Sequence, residues 1–251
     1  MPSDSPASTP SETDAPASPR RVQRVRHEIV RRALRVARVE PLGPGFRRIT
    51  LAGPELAGFV SASFDDHLKF ILEPGTEAQS MRDYTPRHFD PQTQELTLEF
   101  VLHGDGPATT WAAQAQVGQP AFIAGPRGSS VIPMDFAWHL LAGDASALPA
   151  IARRLEELPA GARAIAIVAM PNPDDRRALR SAADLTLQWV DSDRDLVAAV
   201  RALALPPGEG FAWCGAEAAT AAAVRAVLVE EKGHDRHAVT ASAYWRAGTA
   251  G

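Results

Sequence analysis

At 251 residues, with 45% hydrophobic and 22% charged residues, the chain has the composition of a globular protein that is long enough for two domains. Its formal net charge of −4 argues against nucleic-acid binding, which normally shows as a basic surplus. The single cysteine, Cys214, excludes an internal disulfide, a cysteine-ligated iron–sulfur cluster and a zinc site with two or more thiolates.

The N-terminal segment 1–20 combines Pro, Ser, Ala and acidic residues without periodicity, so we predict a disordered tail there. It lacks the apolar segment of a secretory signal, and no apolar run in the chain approaches the ~20 residues that span a bilayer. We therefore expect a cytoplasmic protein without stable membrane insertion, and we expect it to act as a monomer.

The segment 21–133 predicts a small antiparallel β-barrel, because short β-type runs alternate with Gly and Pro turns. Leu96, Leu98 and Phe100 alternate onto one face of a strand. One helix is predicted at 109–116. The six predicted strands are LRVARVE, FRRITLAG, HLKFILEP, MRDYTPRHF, ELTLEFVLH and AFIAG.

The segment 134–251 changes pattern and predicts a parallel α/β sheet with helices on both faces, because strands and helices alternate along it. The predicted strands are WHLLA, ARAIAIVAM, LTLQWV, FAWCG and AVTASAYW. We place the domain boundary near 130–137. No long linker separates the halves, so they are predicted to pack directly.

Three segments carry candidate chemistry. In RDYTPRHF, Arg82 and Tyr84 share one strand face, and with Thr85 they offer a guanidinium, an aromatic ring and a hydroxyl of the kind that bind a flavin. After His103, a Gly/Asp/Gly/Pro turn opens a helix whose N-terminus suits a pyrophosphate. For the first segment the alternative is an ordinary strand, and for the second it is plain helix capping by Thr109 or Thr110.

The third segment is LLAGDASALPAI, at the first strand–helix junction of the α/β half. A Gly143–Asp144 turn at the carboxyl end of a sheet strand is where such folds bind nucleotide phosphates. It is not a G-x-G-x-x-G fingerprint, and an ordinary turn is the alternative.

In order and spacing, these segments resemble the siderophore-interacting protein family of flavin reductases, within the ferredoxin-reductase-like superfamily. The resemblance runs from about residue 35 to 248 and includes RDYTPRHFD, LEFVLHGDGPATTWA, AGPRGS, LLAGDASALPAI and YWRAG. It implies an FAD-binding β-barrel domain, 21–133, followed by an NAD(P)H-binding α/β domain, 134–251. It also implies electron transfer from NADPH or NADH through FAD to the iron of a ferric siderophore.

The resemblance also implies site residues. The implied FAD contacts are Arg82, Tyr84, Thr85, Arg87, His103, Gly106, Ala108 and Thr109. The implied dinucleotide contacts are Gly143, Asp144, Gly215 and Glu217. No side chain is expected to act as an acid or base, because hydride transfer to a flavin needs only correct placement of the two rings.

Ferric siderophores are often anionic, so a cationic rim would concentrate them near the flavin. Arg127 and Arg246 are our candidates, with Lys69 and Arg48 as weaker ones; an ordinary surface charge or an internal ion pair is the alternative for each. No metal site is expected, because His234 and His237 are the only closely spaced histidines and lie in a polar, loop-like stretch.

Two questions stay open at the sequence level. Arg176 and Arg177 favour the 2′-phosphate of NADPH, whereas the adjoining Asp174 and Asp175 suit the free ribose hydroxyl of NADH. The alternative functions are a general NAD(P)H:flavin oxidoreductase and a flavin-bearing relay or siderophore-binding module that does not turn over a dinucleotide.

Overall fold

The structure is a computed structural model that describes residues 21–102, 104 and 106–248. A curled antiparallel sheet is followed by a parallel sheet with helices, which confirms the predicted fold class. The predicted tail, 1–20, and His103 lie outside the described residues.

The antiparallel sheet has seven strands in the order β5-β4-β8-β2-β3-β7-β6, and β1 and β9 form a separate two-stranded ribbon. Its strands and its one helix are β1 Gln23–Arg26, β2 Arg31–Pro41, β3 Phe46–Ala52, β4 Leu68–Leu72, β5 Ser80–Tyr84, β6 His88–Asp90, β7 Glu95–Val101, α1 Pro107–Gln114, β8 Pro120–Ala124 and β9 Gly128–Val131. The alternating apolar residues of these strands fill the inside of the curl, where Phe70, Leu98 and Ile123 are fully buried.

The predicted strand MRDYTPRHF is two strands in the structure. β5 ends at Tyr84 and β6 begins at His88. Pro86, which has no N–H to donate to a neighbouring strand, lies in the break. The break directs Thr85 and Arg87 away from the sheet and toward the second half of the chain.

The parallel sheet has the strand order β12-β11-β10-β13-β14. Its elements are β10 Trp138–Gly143, α2 Leu148–Glu157, β11 Arg163–Ala169, β12 Asp184–Val190, α3 Asp193–Ala202, β13 Gly210–Glu217, α4 Ala218–Ala226 and β14 Val239–Trp245. Ser192 caps α3 by accepting the N–H of Asp195 at 3.2 Å. α2 packs on one sheet face, and α3 and α4 pack on the other.

No α-helix joins β11 to β12; the chain covers this distance as the largely irregular segment 170–183, which contains one 3-10 turn, Pro173–Asp175. The sheet face beside α2 is covered partly by residues of the antiparallel half. Phe46 and Phe64 are buried in the same apolar cluster as Leu148, Ile151 and Trp213. The two halves therefore pack directly against each other.

Polar contacts reinforce this packing. Arg153 of α2 donates to Ser61 Oγ and to the carbonyl of Pro86, both at 2.8 Å. The Asp175 carboxylate accepts the N–H of Gly45 at 2.7 Å.

Candidate flavin and dinucleotide site

A cleft of about 390 Å³ lies where the two sheets meet. Its walls include residues of β5, the start of α1, the start of α2 and the end of β14, and we call it the interdomain cleft. The structure brings together here the predicted residues Arg82, Tyr84, Thr85, Gly106, Ala108 and Thr109. Ser146, Pro149, Tyr244 and Trp245 line the side that the α/β half contributes.

β5 contributes Arg82 and Tyr84 to the cleft. The Tyr84 ring packs on Phe100 with centroids 4.2 Å apart, and burial raises the pKa of its hydroxyl, which therefore stays protonated. Trp111 of α1 packs on Phe70 and Phe100 at 4.6 and 5.6 Å. This aromatic cluster fixes the start of α1 relative to the strand that carries Arg82 and Tyr84.

The start of α1 opens onto the cleft. Gly106 precedes the helix with extended dihedral angles, Pro107 occupies the first helical turn, and no side chain caps the helix among the described residues. An uncapped helix N-terminus presents backbone N–H groups and the positive end of the helix dipole to an anion.

Asp144 is the polar centre of the turn beside the α/β side of the cleft, although it does not itself line the cleft. Its Oδ1 accepts from the N–H and the hydroxyl of Ser146, at 2.8 and 2.5 Å. Its Oδ2 accepts from the backbone N–H of Glu217 at 2.9 Å and from Nε1 of Trp245 at 2.8 Å. One carboxylate thus joins the ends of β10, β13 and β14. With four donors already bound, its role in this structure is to shape the turn.

Gly143 is required by close packing at the same turn. A Cβ on this residue would lie 2.6 Å from the carbonyl oxygen of Gly215 and 2.6 Å from the Cβ of Ala147. Glu217 caps α4 by accepting the N–H groups of Ala219 and Thr220. Gly143, Gly215 and Glu217 therefore build the turn region; none of them lines the interdomain cleft.

Tyr244 and Trp245 are cleft residues for which the sequence argument assigned no role. Tyr244 lines the cleft together with Thr85, and burial raises the pKa of the Tyr244 hydroxyl. The Trp245 side chain, 42% exposed, stands at the edge of the cleft. The sequence does place two adjacent aromatic residues at the carboxyl end of the last parallel strand. Ligands bind at that edge of such sheets, so this position could have predicted a role for them in the site.

Arg87 does not line the interdomain cleft. Its two terminal nitrogens bind the Glu156 carboxylate of α2 at 2.6 and 2.8 Å, and its Nε lies 3.4 Å from Glu99. Arg87 is turned into the domain interface because Pro86 ends the preceding strand. In this structure Arg87 forms an ion pair between the two halves.

The remaining predicted cations lie on the outside. Lys69 pairs with Asp83, a cleft residue, at 2.8 Å. Arg127 is exposed and precedes Gly128, which lines an adjoining cavity of about 380 Å³ that shares Tyr84, Thr85 and Tyr244 with the cleft. Arg246 is exposed and directly follows Trp245.

The two arginines considered for the 2′-phosphate are engaged elsewhere. Arg176 donates to the carbonyl of Met170 and to Asp191, and Arg177 binds Glu99 while stacking on the Phe46 ring. Neither lines the interdomain cleft. They therefore hold the segment 170–183 in place.

Cys214 lies in the apolar core, and burial raises the pKa of its thiol, which stays neutral. Within residues 21–102, 104 and 106–248, no group of three His, Cys, Asp or Glu side chains is arranged to hold a metal ion. Across the same residues, no helix has the length and apolar character needed to cross a bilayer.

The donor set of the cleft fits FAD. A guanidinium from Arg82 and the backbone N–H groups at the start of α1 supply two separate donors for a pyrophosphate, and Tyr84 supplies an aromatic surface for a ring system. Both groups lie on the antiparallel half. The α/β half closes the opposite side with Ser146, Pro149 and Trp245, where a second cofactor would approach.

Comparison with known proteins agrees with this geometry. Residues 136–248 match the family described as siderophore-interacting protein, and residues 35–80 and 73–130 match the siderophore-interacting FAD-binding domain. The NADPH-dependent ferric-chelate reductase of Escherichia coli K12 is 35% identical, over 92% of this chain and 98% of the relative. The ferric vibriobactin reductase ViuB of Vibrio cholerae is 29% identical, over 86% and 90%. The solved structure of a siderophore utilization protein from T. fusca aligns with a TM-score of 0.82 at 31% identity, over 91% of this chain and 97% of that one. The chain belongs to the siderophore-interacting protein family.

Proposed function

We propose that the protein is an FAD-dependent ferric-chelate reductase that takes electrons from NADPH and delivers them to the Fe(III) of a siderophore. The observation that carries the proposal is the interdomain cleft, where β5 and the start of α1 meet the Asp144 turn. The names of two relatives, an NADPH-dependent ferric-chelate reductase and a ferric vibriobactin reductase, support the choice of donor and acceptor.

In this proposal the cleft residues bind and orient the cofactors. Arg82 and the N-terminus of α1 bind the FAD pyrophosphate, Tyr84 packs beside the flavin ring, and Thr85 and Tyr244 lie near the same ring. The dinucleotide approaches from Ser146 and Pro149. Bound FAD supplies the conversion of a two-electron donor into single electrons, which Fe(III) requires.

The absorption spectrum of the purified protein tests the proposal most directly. We expect a yellow protein with an FAD spectrum that NADPH bleaches anaerobically, and turnover with a ferric siderophore far above that with free flavin or quinone. A colourless protein that cannot be reconstituted with FAD would contradict the cofactor assignment. Equal turnover with free flavin would instead identify a general flavin oxidoreductase.

Arg82→Ala is expected to weaken FAD binding by about 1–3 kcal/mol, because a charge-assisted hydrogen bond to the pyrophosphate is lost. Equilibrium dialysis of the reconstituted protein measures this change. Arg35→Ala is the matched control, because Arg35 is exposed on the same sheet and donates to the Gly118 carbonyl away from the cleft. If Arg82→Ala bound FAD as tightly as the wild type does, Arg82 would not be an FAD-binding residue.

Arg127→Ala and Arg246→Ala are each expected to raise the KM for an anionic ferric chelate several-fold at low salt. The attraction acts through solvent, so it fades as salt screens charges over a Debye length of ~8 Å at physiological ionic strength. Steady-state kinetics at two salt concentrations measures the effect, and FAD content and the NADPH half-reaction should stay unchanged. An equal rise for a neutral ferric chelate would show that these arginines do not act by charge.

A further inference from the structure

A second cavity, of about 400 Å³, lies between the two halves of the protein, and five arginines are among the residues that line it. Arg48 and Arg87 come from the antiparallel half, and Arg177 and Arg180 come from the segment between β11 and β12. One side of α2 completes the wall. We call it the arginine cavity; its volume is in the range of cavities that hold small molecules.

The arginine cavity is distinct from the interdomain cleft. The cleft meets α2 at Pro149, whereas the arginine cavity meets it further along the helix, at Ala152 and Glu156, and no described residue lines both. Glu99 lies between the two cavities: its buried side chain lines the cleft, and it is bound by Arg48 and Arg177, which line the arginine cavity. A ligand of one cavity therefore does not occupy the other.

Hydrogen-bond donors outnumber acceptors around the cavity. The Glu99 carboxylate, with no exposed side-chain surface, accepts from Arg48 at 2.7 Å and from Arg177, and lies 3.4 Å from Nε of Arg87. Three guanidinium groups carry fifteen N–H donors between them, at five each, whereas the carboxylates of Glu99 and Glu156 together offer about eight lone pairs. These two carboxylates therefore leave part of this donor capacity unmet.

Specific donors remain without acceptors. Among the described residues, Nη1 of Arg177 is buried without a hydrogen-bond partner, and Arg180 makes no hydrogen bond. Five arginines line the cavity. Four glutamates balance them: Glu40 and Glu156 in the wall, and Glu95 and Glu99, which bind two of the arginines from outside it. One positive charge is therefore in excess. A buried donor without an acceptor is costly, and an oxyanion would relieve that cost.

We propose that the arginine cavity binds a phosphate-bearing small molecule through Arg48, Arg177 and Arg180. A phosphate group offers several acceptor oxygens with the spacing that guanidinium groups bind in pairs. Because Arg48 belongs to one half and Arg180 to the other, the ligand would bridge the two halves and stabilise their packing. This site is separate from electron transfer and does not depend on the proposed function.

Inorganic pyrophosphate is the probe. Isothermal titration is carried out at constant ionic strength on protein saturated with FAD and NADP⁺, so that phosphate positions of the cleft are filled. We expect one saturable site with a Kd below about 1 mM. Arg180→Ala should weaken it about tenfold and Arg180→Glu should abolish it, because charge-assisted hydrogen bonds are lost. Pyrophosphate should also raise the Tm of the wild type.

Arg194→Ala is the matched control, because Arg194 is exposed on α3, on the opposite face of the parallel sheet, and should bind pyrophosphate like the wild type. Arg180 is exposed and without hydrogen bonds among the described residues, so its variants should keep their fold and FAD content. Absence of saturable binding, or unchanged affinity in both Arg180 variants, would overturn the proposal. The titration measures binding and not enzyme activity. Its result is therefore valid even if the protein does not reduce ferric chelates.

Discussion

Glu99→Gln is expected to lower the free energy of unfolding by about 3–5 kcal/mol, because it removes the charge that compensates buried arginines. The Glu99 side chain is 0% exposed and contacts Arg48, Arg87 and Arg177. Glutamine keeps the volume but loses the charge and turns two N–H donors toward guanidinium groups. Urea denaturation of the FAD-saturated protein, followed by far-UV circular dichroism, measures the difference.

Glu95→Gln is the control for this prediction. Glu95 lies on the same strand and pairs with Arg38 at the surface, where ion pairs contribute about 0–1 kcal/mol. A loss below about 1 kcal/mol in Glu99→Gln would mean that solvent reaches the three arginines and compensates their charge.

Asp144→Ala is expected to destabilise the protein by about 2–4 kcal/mol, because four hydrogen-bond donors from Ser146, Glu217 and Trp245 lose their acceptor. The ends of β10, β13 and β14 would no longer be tied together, so the KM for NADPH should rise as well. Chemical denaturation gives the first effect and steady-state kinetics the second.

Trp245→Phe separates the contribution of one donor from that of the whole turn. It keeps an aromatic ring at the edge of the cleft and removes the Nε1 hydrogen bond to Asp144, so we expect a loss of about 1 kcal/mol from that bond. If Asp144→Ala were no more harmful than Trp245→Phe, the backbone donors of Ser146 and Glu217 would be satisfied by water in the variant.

Local pattern was sufficient to predict the two sheets. Leu96, Leu98 and Phe100 alternate along their strand because one face of the antiparallel sheet is buried. The strands after residue 134 are continuous apolar runs separated by helices, because both faces of the parallel sheet are buried. The ribbon of β1 and β9 was missed, because Gln23–Arg26 is exposed along its whole length and carries no apolar alternation.

Long-range pairing limited the prediction of the site. Arg87 was predicted near FAD because it follows the R-x-Y-T segment, but its partner Glu156 is 69 residues away in the chain and lies on α2. Likewise, Glu99 stands in a strand of apolar residues, and its arginine partners come from three separate segments. Such contacts depend on how the two sheets dock, which no local periodicity reports.

The connection between β11 and β12, which contains no α-helix, affects how the protein unfolds. Without a second helix, the sheet face beside α2 depends on Phe46 and Phe64 of the other half for its cover. Separating the halves would expose the apolar side chains of Leu148, Ile151 and Trp213 to water, which is unfavourable. The antiparallel half thus covers part of the interior of the α/β half, and we expect the two halves to unfold together in a single cooperative transition.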